Sequence, residues 1–248
     1  MNIRKLFLYN SSCVRKHLYP LIDDFHYCLA CGEFNSQRIC TRCQDYLPKL
    51  RNPCQHCGVP TPHAHQRCGQ CLKNPPVFES VHTPWTYASP LDKLLYNFKH
   101  LGDQCTGKAL SQLLSVEIKN DYFSRHLSLP EILVAVPMSK RQQWRRGFNQ
   151  AALLCTELHQ SFGIPVFTAL KRRHSEIQQK QLNRQQRLRN LSGCFQISGQ
   201  LSGKSVAIVD DVVTTGATAN TLAKALRKAG AGEIRVWALC RTPLSGYL

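Results

Sequence analysis

The stretch from Val206 to Thr218, Val-Ala-Ile-Val-Asp-Asp-Val-Val-Thr-Thr-Gly-Ala-Thr, constrains the fold of this chain more than any other. Its apolar residues Val206 to Val209 have the length and branching of a buried parallel strand, and Leu222, Ala223 and Leu226 recur at helical spacing after Thr218. A strand, a turn and a helix are therefore expected. In such a unit Thr214, Thr215, Gly216, Ala217 and Thr218 form a tight turn of hydroxyls and free backbone N–H groups at a helix N-terminus. Gly216 lets the backbone approach a ligand closely, and the helix dipole favours an anion there. Asp210 and Asp211 fall at the carboxyl end of the strand, where open α/β sheets bind ligands, and ionised carboxylates only accept hydrogen bonds. A ligand with a phosphate at one end and hydroxyls or a metal ion nearby fits this stretch, and ribose 5-phosphate has that shape. The plainer reading is a strand–turn–helix whose Asp and Thr residues cap the helix. It leaves unexplained why apolar strand, acidic pair, Thr-Thr-Gly-x-Thr and helix all fall in register. No dinucleotide glycine fingerprint and no complete Gly-x-x-x-x-Gly-Lys-Ser/Thr P-loop competes.

The second constraint is a set of four Cys-x-x-Cys pairs: Cys28/Cys31, Cys40/Cys43, Cys54/Cys57 and Cys68/Cys71. Each such knuckle points two sulfurs at one ion, and two knuckles complete a closed tetrahedral thiolate site, so four pairs imply two structural zinc ions. Gly32 and Gly58 follow the first and third pairs, where a knuckle needs a residue that tolerates the left-handed conformation. This alternation assigns Cys28, Cys31, Cys40 and Cys43 to one ribbon and Cys54, Cys57, Cys68 and Cys71 to the next. An interleaved cross-brace would bind the same two ions with other partners. A redox dithiol would need one pair beside a βαβ unit, and four pairs in sequence argue against it. His56, His63 and His65 are expected to face solvent.

Between the cysteines and the organising motif, Asn74-Pro75-Pro76 reads as a stiff linker. A strand is expected around Trp85 to Ala88, then a helix with Leu91, Leu94, Leu95 and Phe98 inward. A second helix is expected from Gln104 to Lys119. Lys99 lies beside the buried face of the first of these and carries little weight as a site residue. Ile132 to Val136 reads as a buried strand. The segment after it, Met138, Ser139, Lys140 and Arg141 followed by Arg145 and Arg146, reads as a loop at the same sheet edge as Asp210, suited by charge and fork geometry to a pyrophosphate. A solvated basic loop is the plain alternative. A short strand at Ile164 to Phe167 precedes a polar run, Lys171 to Asn190, too long for an ordinary connection and read as a lid or a nucleic-acid-binding segment. Ile234 to Leu239 supplies one more strand, and Cys105, Cys155, Cys194 and Cys240 read as small core residues.

Charge bears on partners. The chain has 32 Lys and Arg against 15 Asp and Glu, a net +17, which eight thiolates and two zinc dications would lower to +13. From Pro137 to Lys204, twelve basic residues face only Glu157 and Glu176, a field that attracts a polyphosphate or a nucleic-acid backbone. No run is long enough to insert in a membrane, and the apolar stretch Leu6 to Tyr9 is too short for a signal-peptide core. A cytoplasmic location is expected, with reduced cysteines.

The Val206–Thr218 stretch resembles the 5-phosphoribosyl-1-pyrophosphate (PRPP) motif of type I phosphoribosyltransferases. With the paired knuckles, Trp144-Arg-Arg-Gly-Phe-Asn-Gln150 and the Gln179, Leu182, Arg187, Asn190, Phe195 spacing, the chain from Cys28 to about Thr242 is similar to the ComF/GntX family. The resemblance implies an α/β fold: a type I phosphoribosyltransferase-like parallel sheet with helices on both faces, preceded by a small N-terminal double zinc-ribbon module. Residues 1–27 form an extension that departs from the family, 28–73 the ribbons and 79–248 the larger domain. It also implies that Asp210 and Asp211 contact the ribose hydroxyls of Mg²⁺-bound PRPP, that Thr214 to Thr218 hold its 5-phosphate, and that the segment after Pro137 receives its pyrophosphate. Arg145, Arg146 and Arg187 are the basic residues expected to meet DNA. Such proteins are associated with natural transformation, where imported single-stranded DNA is handled alongside a helicase-like partner. PRPP is then a substrate transferred to an acceptor that no residue announces, or a regulatory ligand of a DNA-handling protein.

Overall fold

The computed structural model describes residues 26–63, 66–172 and 194–243. The expected lid beyond Arg172, with Arg187, and nearly all of the N-terminal extension lie outside the described residues. Along the chain, a hairpin of β1 (His26–Tyr27) and β2 (Phe34–Asn35) is followed by short helices α1 (Thr41–Asp45) and α2 (Gly69–Lys73). Strands β3 (Ser80–His82) and β4 (Trp85–Thr86) lead into helices α3 (Leu91–His100) and α4 (Gln104–Ser124). Then come β5 (Ile132–Ala135), α5 (Lys140–Arg146), α6 (Gln150–Phe162) and the antiparallel pair β6 (Leu170–Arg172) and β7 (Phe195–Ile197). The last elements are β8 (Val206–Val213), α7 (Ala217–Lys228) and β9 (Ile234–Arg241).

The main sheet has the order β3-β9-β8-β5, with β4 beside the end of β9, and every pairing is parallel. Alternation along the strands sorts their side chains between two cores. Ala207, Val209, Leu133, Trp237 and Leu239 pack against α3, α4 and α6 on one face. Val206, Ile208, Val134, Val236 and Ala238 pack against α7 through Leu222, Ala223 and Leu226 on the other. Both faces of a parallel sheet must be covered, and helices do so here. Among the described residues no helix is long and apolar enough to cross a membrane.

Several elements differ from expectation. Trp85 to Ala88 yields only the two-residue β4, since β9 offers partners only at Cys240 and Arg241, and the missed β3 precedes it across Pro84. The helix starting at Gln104 runs on to Ser124 because Tyr122 on its last turn is buried against Trp237, whose Nε1–H donates to the Tyr122 hydroxyl at 2.8 Å. Ile164 to Phe167 makes a single parallel bridge, Val166 to Leu133. The segment read as a basic loop is largely helical. Ser139 caps α5, its Oγ accepting from the Gln142 N–H at 3.3 Å while the Gln142 side chain reaches back to the Ser139 backbone. That reciprocal cap satisfies two donors at once.

The cysteine-rich part is built into this fold. Ile39 and Leu47 join the core under α3 and α4. Residues 48–50 run antiparallel to β4: Leu50 N–H donates to Pro84 O at 2.8 Å and Thr86 N–H to Pro48 O at 2.8 Å. Cys105, Cys155 and Cys240 are buried, and burial pushes the Cys155 thiol up to about 12.

Candidate phosphate site and metal centres

β8 runs through the acidic pair to Val213, paired with β9 at Asp210↔Ala238, Val212↔Cys240 and Val213↔Arg241. Val209 and Val212 pack on the same face, so the strict alternation of the strand breaks at Asp210 and Asp211. The Asp211 N–H donates to Asp210 Oδ1 at 2.9 Å. Burial, then the charge of Asp211, pushes the Asp210 carboxyl well above the usual range, with Lys99 pulling the other way. Gly216, at φ 76°, opens α7 in the left-handed region, and no side chain caps this helix. A Cβ there would meet nothing nearer than Phe78 at 3.9 Å, so backbone angle rather than crowding calls for glycine. Thr214, Thr215, Ala217 and Thr218 are exposed around the turn, and the Ala217 N–H donates to Thr215 Oγ1 at 3.3 Å. An acidic pair and an uncapped helix N-terminus thus lie one turn apart on the chain. This donor set fits a ligand that carries hydroxyls or a divalent cation at one end and phosphate at the other.

Lys99, given little weight from sequence, belongs to this site: its Nζ lies 3.1 Å from Asp211 Oδ2, with both side chains largely buried. Only the helical stripe of α3, with Leu95 and Phe98 fully buried beside it, hinted at its direction.

Met138 and Ser139, half-buried, lead from β5 into α5, where Arg141 and Arg145 are exposed and Arg146 is half-buried. Lys140 is the first residue of this helix. Arg146 Nη1 donates to Gln150 Oε1 at 3.2 Å, leaving Arg146 Nε and the Nε2 of fully buried Gln150 without a hydrogen-bond partner. Asn149 fixes the following turn, its side chain donating to Val136 O at 3.1 Å and accepting from the Ala151 N–H at 3.1 Å. Trp144 projects from the same basic helix, 89% exposed.

The eight knuckle cysteines gather into two sets, Cys28, Cys31, Cys40, Cys43 and Cys54, Cys57, Cys68, Cys71, with the sulfurs of each set within 4.8 Å of one another. Sulfurs on a zinc tetrahedron with bonds of about 2.3 Å would stand roughly 3.8 Å apart. Cys31 and Cys40 Sγ are 3.9 Å apart, and Cys57 and Cys68 Sγ 3.6 Å. Backbone N–H groups of Cys40 and Cys68 donate to Cys28 and Cys54 Sγ at 3.4 and 3.2 Å. Burial raises the Cys28 and Cys54 thiols, but such N–H donors outweigh it and lower them to about 6 and about 7. Burial and the Cys54 charge push Cys57 up to about 11, and burial with the neighbouring thiols pushes Cys43 and Cys71 higher still. Four sulfurs this close cannot all ionise without a cation between them, so the residues fit the metal. Zinc there supplies a cross-link that a small core of Cys54, Val59 and Cys71 cannot. His56, expected to face solvent, instead turns inward: its Nε2 hydrogen-bonds Phe78 O at 2.6 Å. His63 is exposed as expected, and His65 lies outside the described residues.

A phosphoribosyl transferase domain family matches residues 148–247, and a double zinc ribbon domain family residues 16–72. The chain is 37% identical over 205 residues to the DNA utilization protein YhgH of Escherichia coli strain K12, covering 82% of this chain and 90% of that protein. It is 35% identical over 207 residues to Competence protein F of Haemophilus influenzae, with the same coverage of 82% and 90%. With Competence protein ComFC of Bacillus subtilis the identity is 28% over 216 residues, covering 83% and 85%. A double zinc ribbon with two four-cysteine sites, a parallel sheet of phosphoribosyltransferase type and relatives alike over nearly their whole length lead to one assignment: the chain belongs to the ComF/GntX family of phosphoribosyltransferase-like proteins.

Proposed function

We propose that this protein binds Mg²⁺–PRPP at the carboxyl edge of β8 and acts in natural transformation, handling imported single-stranded DNA in the cytoplasm. The observation that carries the reading is the acidic pair Asp210–Asp211 set one turn before the uncapped N-terminus of α7. The ribose hydroxyls and their magnesium meet the two carboxylates, and the 5-phosphate meets the N–H groups and hydroxyls of Thr214 to Thr218. The pyrophosphate lies toward Met138, Ser139, Lys140 and Arg141, where buried donors of Arg146 and Gln150 without protein partners are what an anion satisfies. Arg145, Arg146 and exposed Trp144 provide charge beside a stacking surface for single-stranded DNA, with Arg187 extending the basic run along the sequence. The names of the relatives, DNA utilization protein and Competence protein F, support the DNA-related half of the reading. A helicase-like competence protein is the partner this role calls for.

Calorimetric titration of Mg²⁺–PRPP into the wild type and into Asp210→Asn/Asp211→Asn tests it. Binding by the wild type that the folded, zinc-loaded double variant loses, with single-stranded DNA affinity retained, is the expected result. A wild type that takes up no PRPP would leave the motif a retained scaffold.

A further inference from the structure

Arg241 ends β9 and is only 2% exposed, and among the described residues it pairs with no carboxylate. Its Nε and Nη1 donate to carbonyls from three directions. Nε donates to Cys57 O at 2.9 Å; Nη1 donates to Val213 O at 3.0 Å, to Thr242 O at 3.0 Å and to Thr214 O. One side chain therefore ties the first knuckle of the second ribbon, Cys54–Cys57, to the first residue of the phosphate turn. A buried guanidinium without a counter-charge is costly where its donors go unmet, so the carbonyls that Nε and Nη1 use are held in place with it.

A second link runs in parallel. His56, inside the same knuckle, hydrogen-bonds Phe78 O and sets its ring edge-on to Phe78 at 6.2 Å. Phe78 in turn is the side chain nearest to Gly216. The knuckle sits flush on β3, because a Cβ on Gly58 would come within 3.1 Å of Val81. The first ribbon is different: it docks under α3 and α4 through Leu29, Ile39 and Leu47, and no contact from it reaches the turn among those described.

We propose that Arg241 is a positioning residue of the phosphate turn, and that through it the metal held by Cys54, Cys57, Cys68 and Cys71 sets how well Thr214 to Thr218 receive an anion. The inference rests on the PRPP reading for the identity of that anion, but not for the coupling. Metal binding fixes the shape of the Cys54–Cys57 knuckle and with it the aim of the Cys57 carbonyl. Without that anchor Arg241 loses one of its fixed directions, and the Thr214 carbonyl loses a fixed donor. The coupling is reciprocal: an anion on the turn tightens zinc in the second ribbon by the factor by which zinc tightens the anion.

The two ribbons supply an internal control. Cys71→Ser and Cys43→Ser each disable one metal site, and hydrogen exchange of the 214–218 amides reads the turn directly without any ligand. Faster exchange in Cys71→Ser but not in Cys43→Ser is expected, and Arg241→Gln should speed release to a chromogenic chelator of one of the two zinc equivalents. Calorimetry on the same proteins should then show Mg²⁺–PRPP affinity down about tenfold in Cys71→Ser and Arg241→Gln only, with Mg²⁺–PRPP slowing release of that same zinc in the wild type. Equal exchange at the turn in the two ribbon variants, or zinc release unchanged in Arg241→Gln, overturns the coupling. The expected exchange pattern in a wild type that binds no PRPP upholds the coupling and removes the PRPP reading instead.

Discussion

Replacing Lys99 with Met removes the ammonium that stands 3.1 Å from Asp211 Oδ2, in a pair whose side chains are 17% and 14% exposed. At an effective dielectric constant of about 20 the gross attraction at this separation is about 5 kcal/mol. Desolvation of both ends cancels much of it, yet deleting one partner of such a pair leaves a carboxylate uncompensated, at a cost of about 3 kcal/mol or more. Asp210 has one escape, which is protonation. Asp210 already sits well above its ordinary value, and Lys99 is one of the influences holding it down. A raised carboxyl pKa adds stability that is complete below the unfolded value and is lost as pH rises through the folded one. Removing Lys99 raises Asp210 further, so the penalty is largest at alkaline pH and shrinks toward acid. Urea unfolding of zinc-loaded protein should show Lys99→Met destabilised by about 3 kcal/mol at pH 8, a midpoint shift of more than about 1 M, and clearly less at pH 5. An unchanged midpoint at pH 8, or the same loss at both pH values, would refute the view that Lys99 neutralises the acidic pair.

Three further outcomes are expected. His82 is buried, with its Nδ1 2.6 Å from Asp121 Oδ2 and its Nε2 2.8 Å from Ser80 Oγ, and burial lowers its pKa against the pull of Asp121. A depressed histidine pKa means stability that is full above about pH 6.5 and falls as pH drops below it, by at most about 1.4 kcal/mol per pH unit, and His82→Gln should flatten that part of the stability curve. Gly107→Ala would place a Cβ 2.3 Å from the fully buried Phe98 ring, so despite the better helix propensity of alanine it should lower stability by about 1–3 kcal/mol, whereas Gly69→Ala, with open space around it, should be neutral or stabilising in thermal melts. Metal analysis should find two zinc equivalents, and uptake by the stripped protein at pH 7 should release protons, because thiols such as Cys57, held at about 11, must ionise to bind; uptake without proton release would contradict that account.

What sequence made legible was whatever is written in contiguous residues. The apolar runs of β5, β8 and β9 and the stripe of α7 announce themselves by period, and the order of the knuckles already grouped the cysteines as the sulfurs are grouped in space. Elements defined by one or two hydrogen bonds were not legible. β3 is three residues long with a polar residue at each end, and α5 is a run of charged and amide side chains around the exposed Trp144, begun by the Ser139–Gln142 cap. Site residues that reach their place across the fold were the hardest. Lys99 meets Asp211 of β8 from α3, and Arg241 meets Cys57 across 184 positions. Neither contact leaves a local pattern, because each exists only once the sheet has closed.

The same crossing contacts explain why the cysteine module is more than an attachment. A parallel sheet ending at β3 and β4 would expose unpaired backbone groups along that edge. Leu50 and Pro48 pair with part of it, and Lys49 sits over the buried Trp85 ring at 5.9 Å while its ammonium pairs with Glu117 on α4. The link between the two ribbons is thus stitched to the sheet edge, with one ribbon beneath α3 and α4 and the other against the phosphate turn. Each metal then stabilises a different face of the same fold. Losing the first should loosen the helical core around Ile39 and Leu47, while losing the second should reach the turn at Thr214. Loss of the first metal should therefore reach the turn at Thr214 less directly than loss of the second, whose Cys57 carbonyl holds Arg241.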